Sequence, residues 1–324
     1  RLFTLSDKTQ NVLAGLTERP SLTVVMGTGA VTIRDRGKVN VAKRVKDMAA
    51  LYRATGKVDV AVVDVYREKL RVEKLAQAVG AAVEPNSLVI ECRGRHVAVP
   101  FFDLVDVSEG TTPAFLGEER ITAAILKVAE PRPTRVAFTT GHGEIPFDPA
   151  EGESLSDFGA ALRRDNCVLE SVNLLAHSAP LDHDLVIVAG PAAPFLAQEA
   201  EALGAYLRRG GKVLILVRPK PLRGDIGRLE AMLGEFNVRV AQEMAVIEVY
   251  KTVGDLRIVV ERFGDHPVTQ GLRNINCLIE NACPVSALVQ DARDAGRARE
   301  PRLKSPFQVV PLLYSSERSW GETD

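Results

Sequence analysis

The sequence predicts an α/β protein built from two consecutive units. Short apolar, β-branched segments alternate with amphipathic segments of helical period, which is typical of sheets covered by helices. The length of 324 residues fits two domains of roughly 150 residues each. Pro131-Arg132-Pro133 cannot continue a helix and interrupts the pattern near the middle of the chain. We therefore predict domains at residues 1–130 and 131–324.

The first unit has the predicted order β-α-β-α-β-β, followed by a linking helix. This is the order of a thioredoxin-like fold. A redox-active CxxC pair would follow the first strand, but Met26-Gly27-Thr28-Gly29 contains no thiol, so the chemistry excludes redox catalysis. The same glycines lack the rest of a phosphate loop and are interpreted as a turn. The predicted strands are 22–26, 58–65, 88–92 and 96–100, and the predicted helices are 6–16, 41–55, 69–79 and 118–128.

The second unit begins with a buried strand that leads into Gly141-His142-Gly143-Glu144. Continuous apolar strands that alternate with helices predict a parallel sheet covered on both faces. The predicted strands are 136–140, 167–172, 185–191 and 212–217, with a β-rich stretch at 244–260 and a last strand at 309–314. The predicted helices are 154–164, 197–209 and 226–236, and the charged stretch 290–304 is predicted to be an exposed loop.

The GHGE loop, residues 141–144, lies at the sheet edge where ligands bind in open α/β proteins. His142 and Glu144 could face one centre there, and Arg218 ends a neighbouring strand, where it could bind an anion or pair with a carboxylate. These three are the candidate ligand-binding residues. The favoured alternative is structural, because glycines permit the turn while His142 and Glu144 satisfy backbone groups. A metal site would need a further ligand, and no metal or cofactor is expected.

Composition excludes several classes of function. Lys and Arg total 41 against 42 for Asp and Glu, so the chain lacks the basic character of a nucleic-acid binder.

Cys277 and Cys283 are close enough in sequence to pair, although two separate thiols are favoured. No apolar run reaches the length of a membrane span. The chain starts at Arg1 without an initiator methionine, and we expect it to be a segment of a longer protein.

Five segments, taken in order, resemble the GldG-type auxiliary component of ABC transport systems, named for a gliding-motility transporter. The segments are 1–6 (RLFTLS), 139–144 (TTGHGE), 184–191 (DLVIVAGP), 207–216 (LRRGGKVLIL) and 316–324 (SERSWGETD). The resemblance implies an extracytoplasmic (periplasmic) domain at the inner membrane, anchored by hydrophobic helices outside this segment. It implies an ABC permease and ATPase as partners. It also implies that the second half is similar to the flavodoxin-like, class I glutamine-amidotransferase-like fold.

Amidotransfer chemistry requires a cysteine nucleophile at a sharp strand-to-helix turn. The comparable turn is Arg218-Pro219-Lys220-Pro221, and Cys167 begins a strand instead. We therefore expect a non-catalytic module that acts through protein contacts, with ligand binding and self-association left open. One alternative is a hydrolase or carbohydrate-active enzyme that uses the GHGE loop, and another is a periplasmic solute-binding protein. Replacement of His142 and Glu144 with alanine is expected to leave the fold largely intact.

Overall fold

The computed structural model describes residues 4–27, 32–33, 39–80, 82–106, 113–130, 132–176, 180–222, 224–250, 253–272, 276–288 and 306–323. The chain divides into two compact units. Unit 1 comprises Arg1–Pro133 with Arg164–Asn166, and unit 2 comprises Thr134–Arg163 with Cys167–Asp324. The predicted exposed loop at 290–304 and the residues Thr28 and Gly29 of the predicted turn lie outside the described residues.

Unit 1 contains a four-stranded mixed sheet in the order β4-β1-β5-β6. Strand β4 is parallel to β1, whereas β5 is antiparallel to both β1 and β6. The elements, in chain order, are α1 Asp7–Gly15, β1 Ser21–Met26, β2 Thr32–Ile33, β3 Val39–Asn40, α2 Val41–Ala54, β4 Asp59–Asp64, α3 Lys69–Val79, β5 Ser87–Cys92, β6 Arg95–Pro100, β7 Val105–Asp106, β8 Ala114–Phe115 and α4 Gly117–Ala129. The predicted elements of this unit are therefore present, with ends shifted by a residue or two.

Local sequence signals set the helix ends in unit 1. Ser6 caps α1 by accepting a hydrogen bond from the Thr9 amide, and Asn40 caps α2 by accepting one from the Lys43 amide. Helix α3 ends at Gly80, which adopts the left-handed conformation (φ +63°) that glycine tolerates without strain.

A buried polar chain joins three helices in the core of unit 1. The Tyr52 hydroxyl of α2 lies 2.6 Å from Thr122 Oγ1 of α4 and donates to the Glu118 carbonyl at 3.0 Å. Thr122 Oγ1 is also 2.9 Å from Thr9 Oγ1 of α1. Burial raises the pKa of the Tyr52 phenol far above its usual value, so the hydroxyl stays neutral and available for hydrogen bonding.

Unit 2 is built on a four-stranded, all-parallel sheet in the order β10-β9-β11-β12. The elements are β9 Thr134–Thr139, α5 Ser156–Arg164, β10 Cys167–Val172, β11 Leu185–Ala189, α6 Ala197–Arg208, β12 Val213–Leu216, α7 Leu229–Glu235, β13 Val238–Val240, β14 Ala245–Tyr250, β15 Val253–Asp255, β16 Arg257–Val260, β17 Arg262–Phe263, β18 Cys277–Glu280, β19 Val285–Ala287, β20 Leu313–Tyr314 and β21 Ser319–Glu322.

Helices cover both faces of the parallel sheet, which confirms the interpretation of its apolar strands. Ala137, Val186 and Val188 pack on one face against α6 and α7, in a core that also includes Phe195. Val136, Phe138 and Ile187 pack on the other face with side chains from α5. Burial of continuous apolar strands on two faces is the main source of stability for such a sheet.

The last part of unit 2 departs from the simple alternation of strands and helices. Strand β13 follows α7 but pairs with β19 in a separate antiparallel ribbon. The predicted last strand at 309–314 is reduced to Leu313–Tyr314, because Pro311 provides no amide hydrogen to a ladder. Strand β21, which the sequence analysis did not predict, pairs with β14. In the described part of the chain, no helix has the length and apolar character needed to cross a bilayer.

Candidate functional site

The GHGE loop leaves the carboxyl end of β9 through two glycines with positive φ. Gly141 has φ +119° and Gly143 has φ +70°, and residues other than glycine rarely adopt either backbone conformation. The amide of Ile145 then donates to the carbonyl of Ala189 at 2.8 Å, which attaches the loop to the end of β11. The two glycines therefore fold the loop back over the edge of the sheet, as the sequence predicts.

His142 is buried beneath this edge. Its ring stacks on Phe195, with centroids 4.2 Å apart and planes 18° apart. Its Nε2 lies 3.0 Å from Oε2 of Glu199. Its carbonyl accepts the amides of Ala192 and Ala193 at 2.8 and 2.9 Å. His142 thus fastens the GHGE loop to the loop and helix that follow β11.

Two buried carboxylates surround the imidazole of His142. Glu144 Oε2 accepts the His142 amide at 2.7 Å, and its Oε1 lies 3.9 Å from His142 Nδ1. Glu199 Oε2 accepts the amide of Leu196 at 2.9 Å, at the start of α6. The side chains of Glu144 and Glu199 are only 3% and 1% exposed. We call His142, Glu144 and Glu199 the edge cluster.

Each side chain of the edge cluster has one buried polar atom without a hydrogen-bond partner among the described residues. These atoms are His142 Nδ1, Glu144 Oε1 and Glu199 Oε1, and the hydroxyl of Thr139, at the end of β9, is in the same condition. Buried polar groups are normally satisfied, by protein or by ordered water. The cluster also places two acidic groups beside one imidazole, so its environment favours groups that donate hydrogen bonds or carry positive charge.

Arg218 lies near the same edge but contacts a different carboxylate. Its guanidinium forms an ion pair with Glu153, whose side chain is largely exposed. Gly190, with φ +59°, passes so close that a Cβ atom there would lie 3.0 Å from Arg218 Nε. Of the two roles predicted for Arg218, the structure therefore contains the carboxylate pair. His142 and Glu144 come together as the sequence suggested, whereas Arg218 belongs to a neighbouring contact.

Sequence reasoning missed Glu199 and Phe195. Glu199 is at the third position of α6 and bonds back to the amide of the residue that caps the helix. That position is usually recognised by a serine or threonine three residues earlier, but residue 196 is leucine, which conceals the pattern. Phe195 precedes the helix as an isolated apolar residue, and nothing in its local sequence predicts that it stacks on His142.

A second polar cluster occupies the opposite end of the sheet, where the sequence places His183 and Asp184. His183 Nε2 lies 3.0 Å from Glu170 Oε2, and Arg135 pairs with Asp182 at 2.9 Å. The hydrogen bonds from His183 and then Arg135 lower the pKa of Glu170, and Arg135 lowers the pKa of Asp182. These contacts connect the start of β9 to β10 and to the segment before β11.

The described residues offer little for catalysis at the edge cluster. Cys167 pairs in register with Thr134, so it lies at the other end of the sheet from the GHGE loop. Across the described ranges, His, Cys, Asp and Glu side chains nowhere form a group of three suited to a metal ion. Neither Cys277 nor Cys283 forms a disulfide, and burial raises the pKa of the Cys283 thiol to about 11. The edge cluster thus holds the GHGE loop, and its unpartnered oxygens can accept hydrogen bonds.

Sequence comparison identifies a family through unit 2, which contains the edge cluster. Residues 133–324 match the family model described as ABC-type uncharacterized transport system, an auxiliary component, and the chain belongs to this family. No curated protein sequence matches the chain. Among solved structures, the mmIFT52 N-terminal domain is 19% identical, covering 47% of this chain and 68% of that chain, with a TM-score of 0.38.

Proposed function

We propose that this protein is a non-catalytic, GldG-type auxiliary module of an ABC transporter that acts through contacts with the permease and ATPase subunits. The observation that carries the proposal is the family match over 133–324, which includes the GHGE loop and the closing SERSWGETD segment. A role in gliding motility, periplasmic location and anchoring by helices outside this chain belong to the same proposal. They rest on the resemblance of the five segments.

The burial of the edge cluster supports a non-catalytic role. A hydrolase or carbohydrate-active enzyme needs carboxylates that reach substrate, one as general acid and the other as base or nucleophile. Glu144 and Glu199 are instead buried and each accepts a backbone amide. Each carboxylate thus accepts a backbone amide, Glu144 in the GHGE loop and Glu199 at the start of α6. Such a role is the structural alternative that the sequence analysis favours for the loop.

The closing SERSWGETD segment also has a structural role. Ser316 donates from its hydroxyl to Oε1 of the buried Glu248, and Glu248 Oε2 accepts the amide of Val259 at 2.8 Å. Ser319 then pairs in register with Glu248. Ser316 and Ser319 thus attach the segment to β14.

The strand orders support finer fold assignments as part of the proposal. In unit 1 the order β4-β1-β5-β6, with β5 antiparallel to its neighbours, is that expected for a thioredoxin-like domain without the CxxC pair. In unit 2 the parallel order β10-β9-β11-β12 is that expected for a flavodoxin-like, amidotransferase-like domain. We place the domain boundary at residues 130–131, close to the division between the two units.

Purification from native membranes tests the proposed partners. The full-length protein, tagged and extracted in mild detergent, is expected to bring down one ABC ATPase and one permease, identified by mass spectrometry. An unrelated membrane-anchored periplasmic protein carrying the same tag serves as the control. Recovery of neither subunit, under conditions that keep another ABC transporter intact, would contradict the proposal.

The unused polar atoms favour a second candidate function, the binding of a small polar ligand at the GHGE loop. Glu144 Oε1 and Glu199 Oε1 have no hydrogen-bond partner among the described residues and can act only as acceptors when ionised, so such a ligand would carry donors, such as an ammonium group. His142 and Glu144 would contact it, and Arg218 would lie beside it. A crystal structure at a resolution that shows ordered water tests this candidate: water alone at these atoms supports the structural role, and a bound organic molecule supports the ligand.

A further inference from the structure

A cavity in unit 2, distinct from the edge cluster, combines cationic and apolar walls. It lies between α7 and β13, next to the end of β19, and has a volume of about 560 Å³. Cavities of roughly 300–1,000 Å³ are typical of small-molecule sites. The residues that line it are Gly227, Arg228, Glu230, Ala231, Val238, Arg239 and Leu288. We call it the α7–β13 cavity.

Two exposed guanidinium groups, those of Arg228 and Arg239, line this cavity. The structure gives the side chains of Arg228 and Arg239 no hydrogen bond or ion pair with any described residue. By contrast, Arg208 in the same unit pairs with both Glu201 and Glu235. A planar guanidinium binds carboxylate or phosphate oxygens in bidentate fashion, so two of them at one cavity are suited to an oxyanion.

The backbone holds the two arginines in fixed places. Gly227 has φ +52°, and a Cβ atom there would lie 2.6 Å from backbone atoms of Phe195. The Arg228 amide donates to the Phe195 carbonyl at 3.0 Å. Arg239 is in β13, opposite Ser286 of β19. Because both positions are fixed before any ligand arrives, little backbone ordering would oppose binding.

The remaining walls restrict the ligand. Ala231, Val238 and Leu288 give apolar surface, and Leu288 is anchored by donation from its amide to the Asn237 carbonyl at 2.7 Å. Glu230 adds one negative charge, so the lining carries two positive charges and one negative. This balance suits a singly charged anion better than a polyanion, and the volume exceeds the needs of a bare ion.

We propose that the α7–β13 cavity binds a singly charged organic anion, whose carboxylate or phosphodiester group contacts Arg228 and Arg239 and whose apolar part contacts Val238 and Leu288. A free organic acid and the headgroup of an anionic phospholipid share this chemistry. The site lies outside the GHGE loop and requires no transporter subunit. A failure of this binding proposal would therefore leave the proposed auxiliary role untouched, and the reverse also holds.

Titration followed by NMR tests the site directly. Hexanoate and dibutyl phosphate are added to the ¹⁵N-labelled chain, and the amides of Gly227, Ala231 and Leu288 are monitored. We expect saturable shifts with one dissociation constant at all three reporters. Arg228→Gln/Arg239→Gln should weaken binding about tenfold or more, because it removes both guanidinium partners of the anion. Arg209→Gln, which removes an exposed arginine of unit 2 outside the cavity, should leave the constant unchanged.

Co-sedimentation with vesicles distinguishes the two sources of the anion. Binding to phosphatidylglycerol vesicles but not to phosphatidylcholine vesicles, lost in the double variant, assigns the site to a lipid headgroup. Saturable binding of the soluble anions without vesicle binding assigns it to a free organic acid. Unsaturable shifts with both soluble anions and no vesicle binding, or binding that the double variant retains in full, would overturn the proposal.

Discussion

Replacement of His142 by alanine should destabilise unit 2 strongly. The substitution leaves Glu199, 1% exposed, without its imidazole partner and removes the ring that stacks on Phe195. The carboxylate then keeps the Leu196 amide as its hydrogen-bond donor. The burial of His142 and Glu144 thus revises the expectation, drawn from sequence, that alanine at these positions leaves the fold largely intact.

The expected loss in the free energy of unfolding follows from these contacts. Leaving a buried acceptor without its hydrogen-bond partner costs about 1–3 kcal/mol, and loss of an aromatic stack costs about 0.5–1.5 kcal/mol. We therefore expect His142→Ala to lower the free energy of unfolding by about 3 kcal/mol. For a unit of this size, that corresponds to a fall in melting temperature of roughly 6–12 °C.

The single tryptophan makes the assay specific for unit 2. Trp320 lies in β21, so its fluorescence during urea unfolding of the whole chain reports that unit. Glu199→Gln retains an oxygen that can accept the Leu196 amide and should cost only about 1–2 kcal/mol. Glu201→Gln, two residues further along α6 and exposed, is the control and should stay within about 0.5 kcal/mol of wild type.

The double variant isolates the contact between the two side chains. If His142 and Glu199 interact as described, the losses from His142→Ala and Glu199→Gln should fall short of additivity by about 2 kcal/mol in the double variant. Additive losses, or a loss from His142→Ala that does not exceed that of the Glu201 control, would refute the account of the edge cluster.

Three further predictions concern other parts of the molecule. Gly227→Ala should destabilise unit 2 by about 2 kcal/mol or more, because the new Cβ would come within 2.6 Å of backbone atoms. Gly210→Ala is the control and should cost less, because no atom lies within 4 Å of a Cβ there. Urea unfolding compares the two variants. Arg135→Gln should be less stable than wild type near neutral pH. The difference should shrink as the pH falls through the lowered pKa of Asp182, since protonation of Asp182 removes from the wild-type protein the ion pair that the variant already lacks; thermal unfolding across a pH series measures this. Cys283, buried and with a pKa raised to about 11, should react with iodoacetamide near pH 8 only after unfolding, as followed by mass spectrometry; rapid labelling of the folded chain would contradict its burial.

The sequence predicts the helices and strands best where the spacing of apolar residues and the amino-acid composition indicate the same secondary structure. The strands β11 and β12 are continuous apolar runs, and an amphipathic helix lies between them in the chain, so the parallel sheet and its two covered faces follow from local pattern. The pairing of β13 with β19 is different. It joins segments more than forty residues apart, and no local signal specifies such a partner.

The candidate site shows the same division between local and distant information. The turn at Gly141 and Gly143, and the bond from the His142 amide to Glu144, depend on adjacent residues and could be anticipated. Glu199 contributes the closest contact to the imidazole, yet it is 57 residues further along the chain, in a helix whose start lacks the usual capping residue. The partner of Arg218 likewise depends on the folded position of Glu153.

The most direct test of the central claim replaces Glu144 with glutamine in the full-length protein and measures the transporter recovered with it. Three quantities are compared with wild type, each per mole of folded protein. They are the amount of ATPase recovered, the amount of permease recovered and the rate of ATP hydrolysis by the recovered transporter. If the edge cluster serves the fold and the module acts through protein contacts, all three should match wild type. Normal recovery and unchanged melting temperature, together with a clear loss of ATP hydrolysis, would contradict the account and assign a direct functional role to the GHGE loop.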